Sequence, residues 1–243
     1  MTPRVFLATA RRVLTQLRHD PRTVALMIVV PPVLMVLVRY VFDSTTVFDH
    51  LAPALLGFFP FLMMFLITSI TMLRERTSGT LERLLTTPMA KIDLLAGYAI
   101  AFSAFAVAQV VVTTLASLWL GLSIAGNLGW LLLVAGVNAI LGVALGLLAS
   151  AFAHTEFQAL QFMPVLVLPQ LLLCGLFHPR DQMATVLRWI SDVMPLSYAV
   201  DAIQRVTNST SLGGSYWRNT VVVLCCSIIG LGLAAATLRR RTH

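Results

Sequence analysis

The sequence predicts an all-α integral membrane protein with six transmembrane helices, and three observations carry that prediction. Of its 243 residues, 58% are hydrophobic and only 11% are charged, whereas a soluble domain carries about 25% charged residues to furnish a water-facing surface. The apolar residues come in runs longer than the roughly 18 that mark a membrane-crossing helix. Between those runs the basic residues are shared unequally, which is how a membrane chain sets its orientation.

The elements follow in order. Residues 1–22 read as an N-terminal interfacial helix. Phe6, Ala10, Val13, Leu14 and Leu17 repeat at helical spacing while Arg4, Arg11, Arg12 and Arg18 take other faces, the pattern of a helix lying flat in the inner interface. The scattered arginines leave no apolar stretch for a cleavable signal peptide. Residues 23–243 then form a single six-span domain, with spans near 23–42, 51–73, 92–122, 129–152, 157–176 and 219–238. Asp20 and Pro21 supply a cap and a preset first turn for span one, and Pro31-Pro32 should kink it.

With the N-terminus inside, twelve Lys and Arg fall on the inner side against five outside (Arg39, Arg180, Arg188, Arg205 and Arg218). Both termini are therefore expected in the cytoplasm, and the basic excess faces anionic lipid headgroups rather than nucleic acid. Sixteen arginines against one lysine, beside abundant Ala, Val and Leu, fit a GC-rich bacterial genome and hence a bacterial plasma membrane. Residues 177–218 are too long for a plain connector. Within them "MATVLRWISDVM" and "LSYAVDAIQRV", separated by Pro195, read as two short outer-leaflet helices between spans five and six. A small extracellular cap packed on itself is the other reading.

Chemistry is sparse. No G-x-x-x-x-G-K-[ST], H-E-x-x-H or G-x-S-x-G occurs, so neither a P-loop nor those two hydrolase motifs is present, and the chain is expected to be no enzyme and to hold no cofactor or metal. His154 and Glu156 suit a polar turn better than a metal site. Cys174, Cys225 and Cys226 are expected to be small core residues. Aspartates are nearly excluded from the spans, which disfavours an ion-coupled carrier. Arg39 is placed inside a span, near an outer end where it can snorkel.

One cytoplasmic loop stands apart. "RERTSGTLERLLTTPMAKID", residues 74–93, holds seven charged side chains between spans two and three. Gly79 permits a change of direction, and "TLERLL" can make a short helix that stops before Pro88. Charges of both signs on a short helix between two spans would suit docking into a groove on a soluble protein. A solvated hairpin is the plain alternative.

The segment "RERTSGTLERLLTTP" resembles the E-x-x-x-G-T-L-E-x-L-L-x-T-P stretch of ABC-2-type permeases, the membrane subunits of ABC exporters. "MPLSYAVDAIQRV" similarly resembles that family's P-L-[ST]-Y-A-x-[DE]-A segment before its last span. The likeness extends over nearly the whole chain and is nearest in flavour to the daunorubicin-resistance and nodulation-export permeases. It implies that Glu75, Arg76, Gly79, Thr80, Leu81, Glu82, Arg83 and Leu85 belong to a coupling helix docking on a separate ATPase. It implies two copies of that ATPase, which would bind the ATP and Mg, and a second permease, either the same chain or a homologous one. Pro195, Tyr198, Asp201 and Arg205 become an outer gate or structural lock.

For the substrate path, span two offers Met63, Met64, Phe65 and Thr68, and span five offers Gln161, Met163 and Gln170. Methionines and aromatics with sparse amides suit a bulky amphiphile such as a lipid, glycolipid or drug; ordinary helix packing is the alternative. The expected function is thus the permease subunit of an ATP-driven exporter. The competing expectation is a membrane scaffold or regulatory subunit that docks a cytoplasmic partner and transports nothing.

Overall fold

In lipid a backbone N–H or C=O has no water to turn to, so a spanning chain must satisfy itself as helices or a closed barrel. The computed structural model describes residues 3–78 and 91–237, and among them there is no strand. The helices are α1 (Pro3–Arg18), α2 (Pro21–Phe42), α3 (Thr45–Thr77), α4 (Lys91–Trp119), α5 (Leu128–Phe152), α6 (Glu156–Leu166), α7 (Leu168–Leu173), α8 (Thr185–Val193), α9 (Pro195–Asn208) and α10 (Gly214–Thr237). Six stretches are long and apolar enough to cross a membrane: α2, α3, α4, α5, α6 with α7, and α10.

The start of α2 is the one the sequence announces. The Asp20 side chain accepts from the Thr23 N–H (3.2 Å) and the Thr23 hydroxyl (2.6 Å), and Pro21 opens α2. Those hydrogen bonds hold the Asp20 carboxyl below the usual carboxylate range, with a smaller contribution from the charge on Arg74. Met27, Pro31 and Met35, four residues apart, are the buried face of α2, while Leu26, Val29, Val33 and Leu37 are exposed. Arg39 does more than reach for solvent. Its Nε donates to the Leu120 carbonyl (3.3 Å), one of the acceptors left unpaired where α4 ends.

Helix α3 is longer than hydropathy suggests, 33 residues rather than a span over 51–73, because a helix need not end where the hydrocarbon does. Pro53 and Pro60 lie inside it, and the Asn138 amide donates to the Gly57 carbonyl (2.7 Å) in the turn that Pro60 loosens. Its main partner is α5, and two glycines one turn apart allow the approach. A Cβ on Gly146 would sit 2.6 Å from the Phe65 carbonyl oxygen, and one on Gly142 would strike the Phe61 carbonyl. This is the small-xxx-small logic of membrane helix packing, where close backbones replace a hydrophobic driving force. Gly230 of α10 meets Ala144 on another part of α5, so α5 is the central helix.

Four further expectations are modified. Helix α1, expected to lie in the interface, does bury one face, with Ala10 and Val13 almost inaccessible, but that face packs chiefly on α4; Phe6 and Leu17 have side chains outside the described residues. Span five is not one helix over 157–176. Pro164 and Pro169 each lack an N–H, and the helix breaks at Val167 and ends at Leu173. Of the two short helices, α8 is exposed on most of its surface. By contrast, α9 buries Leu196, Ala199, Val200, Ile203 and Val206 against α3, α5 and α10. Its C-terminal carbonyls at Val206 and Thr207 accept from Gly126 and Ala125 (2.9 Å each). Cys225, expected in the core, is exposed on α10.

The Gly142→Val substitution is expected to cost more than the 1–3 kcal/mol typical of overpacking, because the obstructing atoms are backbone. Thermal melts in mild detergent check this: Gly142→Val loses folded yield or melts markedly lower, whereas Gly232→Ala, at a position with open space around it, melts as the parent does.

Candidate functional site

Successive residues on a helix point about 100° apart, so three polar residues in a row must face three neighbours. At the end of α3 those residues are Arg74, Glu75 and Arg76. Arg74 forms a two-pronged pair with Glu156, the first residue of α6, at 2.7 and 2.9 Å. Arg76 donates to the Ser150 carbonyl in the last turn of α5. Glu75, only 9% exposed, lies 3.9 Å from the Arg12 guanidinium of α1. Arg12 in turn donates to the Tyr98 hydroxyl of α4 and stands 5.8 Å from the centre of its ring. One helical turn of α3 is thereby fastened to α1, α4, α5 and α6.

The three attachments differ in strength. Arg74 and Glu156 have side chains 60% and 51% exposed, so their pair is worth roughly 0–1 kcal/mol despite good geometry. The Arg12–Glu75 contact is long but shielded. One Glu75 oxygen, Oε2, and the Arg12 Nε have no hydrogen-bond partner, so the carboxylate depends on the charge of Arg12 to offset its burial.

Glu75 and Arg76 of the expected coupling segment therefore sit at its root. Gly79, Thr80, Leu81, Glu82, Arg83 and Leu85 lie outside the described residues. Sequence reasoning passed over Arg12, Arg74, Tyr98 and Glu156 as members of this cluster. No local signal marked them, since helical spacing puts Arg12 on another face of α1 from Ala10 and Val13.

At the opposite end of the bundle, α9 presents Tyr198, Asp201 and Arg205 along one face, with Pro195 at its first position. Asp201 Oδ2 accepts from Arg205 Nε (2.9 Å) and from the Asn219 amide of α10. The Tyr198 hydroxyl donates to the Asp192 carbonyl (2.6 Å), while Arg180 pairs with the Asp192 carboxylate (2.5 Å) and stacks 5.5 Å from the Tyr198 ring. Tyr198, Asp201 and Arg205 line a cavity of about 1080 Å³.

The residues expected along a substrate path are dispersed. Met64, Phe65 and Thr68 are fully buried on α3, Phe65 and Thr68 beside Gly146, and Met63 is half-buried. On α6 Gln161 is exposed and Met163 half-buried. Gln170, on α7, accepts weakly from the Leu196 N–H at 3.4 Å and so joins the α9 end.

The profile of one protein family, described as ABC-2 type transporter, matches residues 4–207, reaching from α1 through α9. The chain belongs to the ABC-2 type transporter family. Among curated relatives, the probable multidrug ABC transporter permease YbhS of Escherichia coli is 24% identical over 213 residues, 86% of this chain and 56% of that one. The linearmycin resistance permease protein LnrN of Bacillus subtilis is 25% identical over 167 residues, 69% of this chain and 42% of that one. ABC transporter G family member 20 of Dictyostelium discoideum is 24% identical over 197 residues, 79% of this chain and 27% of that one. The chain thus spans about half the length, or less, of the curated relatives it matches. Six apolar helices and membership of the ABC-2 family make it a multi-pass membrane protein.

Double-mutant cycles on thermal stability should separate the two charged contacts. Arg74→Gln with Glu156→Gln is expected to show coupling below about 1 kcal/mol. Arg12→Gln alone is expected to destabilise by about 3–5 kcal/mol, because it strands a buried carboxylate, and the added Glu75→Gln should recover much of that loss.

Proposed function

We propose that the chain is the transmembrane permease subunit of an ATP-driven ABC exporter. It moves a hydrophobic or amphiphilic substrate, a lipid, glycolipid or drug, out of the cytoplasm or inner leaflet of a bacterial plasma membrane. Both termini and residues 74–93 face the cytoplasm. The ATP and Mg are held by two copies of a separate ATPase subunit, and a second permease, the same chain or a homologous one, completes the path. Multidrug and linearmycin-resistance names among the relatives support the substrate class.

One observation carries this reading: the root of the charged segment is fastened to four other elements by three consecutive residues. A solvated hairpin has no use for such a root, whereas a lever needs one. ATP binding draws two soluble subunits together, and each displaces the segment 79–90 seated in it. The displacement passes through Arg74, Glu75 and Arg76 into α1, α4, α5 and α6. The permease pair then exchanges inward-open and outward-open states whose balance nucleotide occupancy sets. Tyr198, Asp201 and Arg205 form the gate at the outer end, supported by their cross-links to Asp192 and Asn219. For the substrate path, Gln161, Met63 and Met163 remain available at the surface of one chain, while Met64, Phe65 and Thr68 contribute through the packing of α3.

The scaffold reading predicts the same root but no transport, and one substitution separates the two. In proteoliposomes holding the permease with its ATPase, Glu82→Arg should abolish ATP-dependent substrate movement while the chain stays folded in the membrane. Undiminished export by that variant would remove the coupling role.

A further inference from the structure

The cavity at the α9 end has more charge than a gate requires, and its bookkeeping is specific. It is lined by four arginines and four aspartates, whose formal charges cancel. Two of each sign are consumed internally: Arg180 pairs with Asp192 at 2.5 Å, and Arg205 with Asp201 at 2.9 Å. The other four are not paired with an opposite charge. Arg188, projecting from α8, has no hydrogen-bond or ion-pair partner among the described residues. Arg218, in the second turn of α10, reaches only the neutral Asn219 amide oxygen, at 3.4 and 3.5 Å. Asp49, near the start of α3, accepts from the Ser123 N–H and hydroxyl at 3.0 and 2.9 Å, both neutral donors that orient the carboxylate without cancelling its charge. Asp181, in a tight turn over Arg180–Gln182, has no side-chain partner among the described residues.

Had the cavity served only to lock the bundle, Arg188 and Arg218 would have been placed against Asp49 and Asp181, as Arg180 and Arg205 are against their own acids. Instead each sign stays available inside one concave space of about 1080 Å³. A guanidinium presents a fork of donors that matches a phosphate, and a carboxylate accepts the three donors of a primary ammonium. A purely anionic ligand would leave Asp49 and Asp181 facing like charge, and a purely cationic one would do the same to Arg188 and Arg218. A neutral ligand would neutralise neither.

We propose that this vestibule binds a zwitterionic headgroup, with its phosphate against Arg188 and Arg218 and its ammonium against Asp49 and Asp181. The ligand class is an aminophosphate amphiphile, whether a membrane lipid or an exported molecule of the same headgroup chemistry. The proposal concerns equilibrium binding and needs no ATPase, so its failure leaves the export reading standing, and the Glu82→Arg result does not bear on it.

The test uses the full chain in a non-ionic detergent and isothermal titration with three soluble probes: glycerophosphoethanolamine, glycerol 3-phosphate and ethanolamine. The zwitterion is expected to bind at least about tenfold tighter than either half, since one charge-assisted contact suffices for that factor. Arg188→Gln with Arg218→Gln should reduce its affinity to that of ethanolamine, and Asp49→Asn with Asp181→Asn to that of glycerol 3-phosphate. Because Asp49 also holds Ser123, the single exposed changes Arg188→Gln and Asp181→Asn are measured too, each expected to weaken binding with an unchanged melting temperature. Glycerol 3-phosphate binding as tightly as the zwitterion, or no binding by any probe, overturns the proposal. Native mass spectrometry of the extracted chain identifies the source. Retained phosphatidylethanolamine, lost in the four-residue variant, marks a resident lipid, whereas a bare chain that still binds the soluble zwitterion marks a transported ligand.

Discussion

The backbone contact of α3 with α5 at Gly142 and Gly146 is the constraint on which the remaining arrangement depends. Without water between them, two apolar helices gain little from hiding apolar surface, so closeness of packing decides whether they associate. The two glycines bring α5 against the carbonyls of Phe61 and Phe65 and fix both the rotation and the height of α3. Height matters because α3 is long. Its 33 residues make a rod of roughly 50 Å, against about 30 Å of hydrocarbon. One end holds Asp49, bonded to Ser123, and the other holds Arg74, Glu75 and Arg76. A slip of one turn on α5 would carry Asp49 away from Ser123 and Arg76 away from Ser150 together.

The polar contacts at the far end of α3 contribute orientation more than stability. The Arg74–Glu156 pair is too exposed to add much, and burying Glu75 costs more than a 3.9 Å ion pair returns. A well-packed apolar residue in place of Glu75 would hold α1 and α4 at least as firmly. What an apolar residue lacks is direction. A guanidinium shared between a carboxylate and a phenol has few acceptable positions, and so α1 follows α3 in rotation as well as in translation.

Much of this fold was legible because membrane helices declare themselves by composition. The six apolar stretches, the Asp20-Pro21 start and the split of residues 177–218 at Pro195 all lie in local sequence. The charged clamp was not legible, since Arg12, Glu75 and Tyr98 are joined only by the fold and no local pattern relates residues 63 and 86 positions apart. Two misreadings have physical causes. Hydropathy ends α3 at the hydrocarbon edge, though hydrogen bonding carries the helix on through Thr77. Span five was drawn as continuous although Pro164 and Pro169 remove two N–H donors five residues apart. For α9, the short length suggested a surface position, whereas Leu196, Val200 and Ile203 sit against the core because loop N–H groups at Ala125 and Gly126 satisfy its last carbonyls.

The broken span gives the clamp a second connection to the vestibule. Helix α6 begins at Glu156, held by Arg74, and α7 ends at Leu173, whose carbonyl accepts from Ser191 of α8 (2.8 Å) and more weakly from Ser197 of α9 (3.4 Å). Gly175 then turns the chain with φ +93°, open to glycine at little cost. A displacement at Arg74 therefore meets two routes of unequal stiffness. Along α3 it meets a helix locked to α5 by backbone contact. Along α6 and α7 it meets a break at Val167, where two prolines have already removed hydrogen bonds that bending would otherwise have to rupture. Strain divides according to compliance, so a displacement shared by the two routes would be taken up first at the Val167 break rather than along the unbroken α3. The vestibule draws on both routes, Asp49 and Tyr198 from helices packed in the core and Asp192 from α8, which hangs on the compliant one. The α8 wall is thus the one able to shift while α9 keeps its packing on α3, α5 and α10.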